Sequence, residues 1–412
     1  MLEVDEKYLK EVERRITDVL RAPVTFCALI ERCQGAHPHT VKAILDGMLD
    51  AGIVLREADM FVLANGSFNA VEGDAGERTI EDRCNVVEPE LPEPHPADYD
   101  WRFTLKTRCK VAEHIAETVK PGGRVALLGT PTLLSHLVHR RLDPLLIEWN
   151  DVIVSALERE GFSQRLLRHD LFLPLPMEQH GRFQAVVADA PWYLPFVDAF
   201  LLRASECAEV GAKVLITFPP PLTRPEVAND RAHVLRFARE VGLDLTVHEL
   251  DFFWYQTPEF ERLDLAARGI ECLDWRSGHL LKFLRTEAMP PTRSTTRPEA
   301  EPEWRDYWLN GLRVKVKLPL GESGRHFRAT EVRLADLDSV SRRAPVRGRI
   351  DVWTSRNRAY EIDGVAVLDD VFRRLAAGSS VHDAVHQSAA AFDVYGSDLE
   401  RLNAFVDSLL VV

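Results

Sequence analysis

Residues 183–193 read FQAVVADAPWY, and the reading of this stretch decides the fold. Phe183, Ala185, Val186 and Val187 make an apolar run of the kind found in a strand buried on both faces. Asp189 emerges where that strand should end, followed by a proline and two aromatic residues. Upstream, GRVALLG (123–129), PLLIEWN (144–150) and SQRLLRHD (163–170) read as strands, with helices at PTLLSHLVHRR (131–141) and DVIVSALEREG (151–161). Downstream come a helix, VDAFLLRASECAEVG (197–211), and a strand, AKVLITFPP (212–220). A helix over 228–241 and strands LDLTVHELD (243–251) and GHLLKFLR (278–285) follow. Apolar strands alternating with amphipathic helices predict an α/β domain over 101–285, with a parallel sheet covered on both faces.

In such sheets ligands bind beyond the carboxyl ends of the strands, so the polar residues there are the candidate site. Gly129, followed by Thr130, would let a ligand approach the turn after the first strand. Glu148 ends the second strand, about 20 residues after that turn, where a carboxylate can accept both ribose hydroxyls of an adenosyl group. Asp170 ends the third strand and could take the adenine amino group. Asp189 is the candidate catalytic carboxylate, able to bind or deprotonate an amine, with the Ala190 carbonyl as a second acceptor. Pro191 restrains its turn, and Trp192 or Tyr193 can wall a substrate or stack on a cation. A second aromatic cluster, DFFWYQTPEFER (251–262), adds Asp251, Tyr255 and Glu259 as candidate substrate residues, with Thr257 as N-cap and Pro258 opening a helix. Together these predict a Rossmann-type fold with a nucleoside-bearing ligand.

Proline-rich stretches at 67–100 and 286–303 read as linkers flanking this domain. Residues 1–66 read as a winged helix-turn-helix: three helices, the second opened by Pro23 and the third starting at His37, then a hairpin turning at 57–59. Residues 1–65 hold 8 Lys/Arg against 11 Asp/Glu, a balance that disfavours DNA and favours a packing or homodimerising module. Residues 304–412 read as a small α+β domain, strands followed by three helices, with the last two capped by Ser380 and Ser397.

The chain of 412 residues is 46% hydrophobic with a net charge of −13, which suits a globular protein and argues against a polyanion-binding one. Six cysteines without a CxxC spacing predict reduced thiols and, with no apolar run near the ~20 residues a membrane helix needs, a cytoplasmic protein. His37 with His39, and His382 with His386, lack a third ligand in sequence, so no metal is expected.

The order of RVALLGTPTLLSHLV (124–138), HDLFLPLP (169–176) and GRFQAVVADAPWY (181–193), behind a winged-helix N-terminus, resembles the branched-chain polyamine synthases, which make bis(aminopropyl)spermidine. The resemblance covers about 1–285 and implies a class I S-adenosylmethionine-dependent transferase core. It implies decarboxylated S-adenosylmethionine as aminopropyl donor and Asp189 as the residue engaging an acceptor amine. Two features depart from the family: D-A-P stands for its D-P-P, and Thr130-Pro131-Thr132 replaces its acidic run. Ordinary S-adenosylmethionine, and with it an amino-group methyltransferase, is the alternative; an inactive scaffold that binds a protein or peptide is a third. The D-x-P-W-Y stretch also resembles the D-P-P-W and N-P-P-Y motifs of amino-group methyltransferases. The C-terminal part resembles PqqD-like modules, which implies a peptide partner added to a sheet edge.

Overall fold

A computed structural model describes residues 2–66, 86–98, 100–286, 294–297, 302–318, 326–332 and 345–410. Parts of both expected linkers (67–85 and 99; 287–293 and 298–301), with Cys84, lie outside the described residues. The chain forms two compact units. The first comprises Met1–Pro92, Trp101–Thr257 and Ile270–Pro298; the second comprises Glu93–Asp100, Pro258–Gly269 and Glu299–Val412.

The first unit is built on seven strands: β4 (Arg124–Leu128), β5 (Asp143–Glu148), β6 (Leu166–Arg168), β7 (Phe183–Ala188), β8 (Ala208–Phe218), β9 (Leu243–Trp254) and β10 (Ser277–Arg285). Their order is β6-β5-β4-β7-β8-β10-β9, and β4 to β8 run parallel. β10 departs from the expected parallel sheet: it inserts between β8 and β9 and runs antiparallel to both. The start of β10 therefore lies on the same edge as the carboxyl ends of β7, β8 and β9. Val125, Leu127, Val187 and Leu215 are wholly buried in one layer of core, and Ala126, Leu128, Val186 and Ile216 in the other. That alternation is why the strands read as continuous apolar runs.

Helices α4 (Leu105–Ala116), α5 (Leu134–His139), α6 (Asp151–Arg159), α7 (Leu194–Cys207) and α8 (Val227–Glu240) cover the sheet. The helix expected over 197–211 stops at Cys207, because Ala208 turns extended and pairs with Phe183. At the N-terminus, α1 (Leu2–Val19), α2 (Phe26–Arg32) and α3 (Pro38–Asp50) accompany a three-stranded sheet of order β1-β3-β2. Its strands are β1 (Val24–Thr25), β2 (Val54–Glu57) and β3 (Met60–Leu63). Pro23 does not open α2, since Val24 and Thr25 pair with β3 and the Thr25 hydroxyl caps the helix by accepting from Ala28 N. His37 caps α3, its Nδ1 accepting from His39 N.

The expectation of reduced thiols is corrected: Cys27 and Cys272, with Cα atoms 5.5 Å apart, form a disulfide between α2 and the approach to β10. Cys33 and Cys207 are free and buried. No described helix is long and apolar enough to cross a membrane.

The second unit carries a five-stranded antiparallel sheet of order β11-β12-β14-β15-β13. The strands are β11 (Glu303–Leu309), β12 (Leu312–Leu318), β13 (Arg328–Val332), β14 (Val352–Thr354) and β15 (Ala359–Asp363). Helix α9 (Glu259–Ala267) also lies in this unit, and α10 (Val365–Ala376), α11 (Val381–Ala391) and α12 (Ser397–Leu410) follow the sheet. Val314, Val352, Leu368, Phe372 and Leu402 form its core. Residues 93–98 are anchored to the sheet. Asp98 pairs with Arg313 at 2.6 Å and Lys315 at 2.8 Å, while His95 Nε2 meets Trp353 O at 3.0 Å.

Candidate active site

The carboxyl edge of the first unit's sheet gathers the polar residues. Counted from β4, the strand order is third, second, first, fourth, fifth, seventh, sixth, so the switch point lies between β4 and β7, where such sheets bind ligands. Gly129 and Asp189 follow those two strands. Gly129 has φ +63°, which strains any side chain, and a Cβ there would lie tightly at 3.2 Å from Phe200 and 3.3 Å from the Asp189 carbonyl oxygen, so glycine is favoured on both counts. Thr130 follows, buried, and its hydroxyl has no hydrogen-bond partner among the described residues; the Ser135 hydroxyl is in the same position.

Asp189 continues the β7 pairing through its N–H to Leu128 O, then turns its carboxylate toward the next strands. Thr217 Oγ1, near the end of β8, donates to Asp189 Oδ1 at 2.5 Å, and the Tyr255 hydroxyl, just past β9, donates to the same oxygen at 2.8 Å. Trp192 Nε1 donates to Thr217 Oγ1 at 3.4 Å, and the Trp192 and Tyr255 rings meet edge to face at 5.7 Å. Burial and the Asp189 carboxylate push the Tyr255 phenol well above its ordinary pKa, so it remains a donor. Arg276, next to the start of β10, lays its guanidinium 4.3 Å from the Trp192 ring centroid and 4.4 Å from that of Trp101. Its carbonyl accepts from Tyr255 N. Ala190 is buried, Pro191 accepts from Tyr193 N, and Tyr193 opens α7 with Arg224 5.5 Å from its ring centroid.

At the other side of the switch point, Glu148 Oε1 accepts from the N–H groups of Trp149 and Asn150, both at 2.8 Å, where α6 begins. Asp170 Oδ1 accepts from Phe172 N at 3.0 Å, and its Oδ2 pairs with Arg297 at 2.5 Å.

Asp189, Trp192 and Tyr255 are thus brought together, and Gly129 abuts them. Asp251 is engaged elsewhere: it accepts from Ser277 Oγ at 2.6 Å and lies 3.9 Å from His279. Glu259 lies in the second unit, where its N–H donates to Glu93. Thr257 is not the cap of α9, since its hydroxyl accepts from Asp274 N and Pro258 takes the cap position. Sequence reading missed Thr217, Arg276 and Arg297; a lone hydroxyl near the end of an apolar strand was the signal available for Thr217. Among the described residues, no group of three or more His, Cys, Asp and Glu could hold a metal ion.

Two solved structures share this architecture. The branched-chain polyamine synthase C9 mutein from Thermus thermophilus, in complex with N4-aminopropylspermidine and 5′-methylthioadenosine, aligns with a TM-score of 0.53 at 19% identity, over 73% of this chain and 96% of the other. The branched-chain polyamine synthase from the same organism, with the same two molecules, aligns with a TM-score of 0.52 at 18% identity, over 71% and 91% of the two chains. At such identities the likeness is one of fold. No protein-family model matches the chain, and no curated protein does.

Proposed function

We propose that this protein transfers an aminopropyl or related alkyl group from an S-adenosyl donor to an amine. The observation that carries the reading is the Asp189 carboxylate at the switch point, held by Thr217 and Tyr255. The amine lone pair attacks the carbon next to the sulfonium, the carbon–sulfur bond breaks, and the thioether leaves with the bonding electrons. Asp189 orients the amine and takes up its proton. The sulfonium is already a good leaving group, so the protein's share is orientation and charge placement. Glu148 and Asp170 hold the ribose and the base, and Gly129 admits the sulfonium end. The buried, unpartnered hydroxyls of Thr130 and Ser135 support a polar ligand at this turn. The experiment is calorimetric titration with S-adenosylmethionine, its decarboxylated form and methylthioadenosine, repeated on Glu148→Ala. Binding of the decarboxylated donor that is lost in the variant supports aminopropyl transfer; no binding by any of the three overturns the reading.

A second reading, methyl transfer to an amino group, is favoured by the turn after Gly129. Thr130 and Thr132 present hydroxyls and no carboxylate, which suits a donor that retains its own carboxylate better than one with a bare ammonium. Preference for S-adenosylmethionine in the same titration selects it.

For the second unit, we propose an extended acidic peptide as partner. A cleft of about 580 Å³ lies between the edge strand β11 and α10. Its carboxylates Asp306, Asp369 and Asp370 are all held in ion pairs, and the Arg305 and Arg373 side chains, which pair with Asp369 and Asp370, remain 43% and 67% exposed. Fluorescence anisotropy with labelled acidic and basic peptides tests this, and equal affinity for both would overturn it.

A further inference from the structure

Residues 294–297, far in sequence from β5 and β6, lie against the segments that follow both strands. Thr295 N donates to Phe172 O at 3.1 Å, and Arg297 Nη2 donates to Asp170 Oδ2 at 2.5 Å. The Arg297 guanidinium carbon lies 4.9 Å from the Phe172 ring centroid and 5.6 Å from that of Trp149. Trp149 adjoins Glu148 and is 58% exposed, while Phe172 is buried and braced edge to face by Phe196. A planar, N–H-donating group is therefore placed on a carboxylate and beside two aromatic rings. A purine with an exocyclic amino group would use the same acceptor and the same rings. The Thr295 hydroxyl is buried beside them without a partner among the described residues.

We propose that Arg297 is an internal occupant of the base-binding half of the donor site, so that segment 294–297 must withdraw before a nucleoside can bind. The inference rests on the donor-site reading given under Proposed function. Guanidinium and base compete for one carboxylate, and the apparent affinity for the nucleoside is reduced by the fraction of molecules in which Arg297 is seated. The ion pair is partly exposed, with side-chain exposures of 44% and 15%, so it is weak enough to be displaced. An acceptor cannot react until a donor has displaced the segment, and the enzyme's resting state is closed to adenosine-bearing molecules at low concentration.

Methylthioadenosine is the suitable probe, because it carries the base and ribose and has no amino-acid end. Full-length protein, Arg297→Ala, and Arg297→Ala combined with Asp170→Asn are titrated by calorimetry. Arg297→Ala should bind about fivefold to tenfold more tightly than the parent, and the added Asp170→Asn should abolish that gain. In parallel, hydrogen exchange at the Thr295 amide of the unmodified protein should accelerate when methylthioadenosine is added. Unchanged or weaker binding by Arg297→Ala, or slower Thr295 exchange with the nucleoside bound, would overturn the proposal and make Arg297 a fixed wall of the pocket. If neither parent nor variant binds methylthioadenosine, the donor-site reading itself fails, and the occupancy proposal with it. Binding by both with equal affinity removes the proposal alone.

Discussion

Tyr255 donates its phenolic hydrogen to Asp189 Oδ1 at 2.8 Å, across 66 residues of sequence and past the ends of two intervening strands. The contact exists because β10 is reversed. β10 brings its start, not its end, to this edge, leaving β9 free to deliver Tyr255 and β8 to deliver Thr217 to the same carboxylate oxygen.

Asp189→Asn preserves an acceptor oxygen for Thr217 and Tyr255 but cannot take up a proton. We expect kcat to fall by on the order of 10²–10⁴-fold, with little change in the binding of methylthioadenosine. Single-turnover assays and calorimetry on the same preparation separate the two.

Tyr255→Phe removes one donor to Asp189 Oδ1 while keeping the ring that packs against Trp192 and Phe103. Loss of a hydrogen bond to a charged acceptor should cost about 1.5–3 kcal/mol in urea unfolding. A compensating loss on Thr217→Val should be less than additive with it, because both act on one oxygen. A double-mutant cycle would expose full additivity and so refute the shared role.

Gly129→Ala combines a positive φ with contacts of 3.2 and 3.3 Å to Phe200 and the Asp189 backbone. It should destabilise the protein by more than about 1 kcal/mol and weaken nucleoside binding, and a variant with unchanged denaturant midpoint would contradict the steric account.

His95 is wholly buried, accepting from Ala97 N at Nδ1 while its Nε2 faces Trp353 O, which fixes the neutral ring. Burial pushes its pKa down from 6.5 to about 3. The unfolded chain therefore binds this proton first, and the associated stability is complete above pH 6.5 and lost as pH falls from 6.5 toward 3. Asp98 adds to the same trend lower down. Against burial, which raises its pKa, Lys315 and Arg313 hold it at about 2, so its contribution is lost between 3.8 and 2. Melting temperature measured across this range should decline in both windows, and His95→Gln should flatten the upper one.

Reduction of the Cys27–Cys272 bond, which spans 245 residues, should lower stability by about 2–4 kcal/mol. Thermal unfolding with and without a reductant, and on Cys27→Ser, measures it; identical melting curves would mean the thiols are already reduced in solution.

Asp189 was legible because an apolar run announces where a strand ends, and Gly129 and Glu148 because their spacing follows the first two strands of such a sheet. Tyr255 was visible within an aromatic cluster, although the carboxylates of its neighbours Asp251 and Glu259 pair with Ser277 and Arg262 instead. Thr217, Arg276 and Arg297 were not legible. Each acts through a partner on another strand or segment, and no local period encodes a pairing across 28 or 127 residues. The disulfide escaped for the same reason: two cysteines so far apart leave no spacing to read. The reversed β10 was also hidden, since a strand buried on both faces has the same composition in either direction.

The clasp of His95 and Asp98 onto β12 and β14 has a consequence for how the polypeptide is made. A ribosome releases residues 93–98 early, long before Arg313, Lys315 and Trp353 leave the exit tunnel. During that interval the nascent segment holds a carboxylate and an imidazole whose shelter has not yet been synthesised. The second unit consequently matures last, around a piece of chain that precedes the seven-stranded sheet in sequence. A contiguous C-terminal cassette would lose Asp98 and leave Asp306 as the remaining carboxylate paired with the buried cations Arg313 and Lys315.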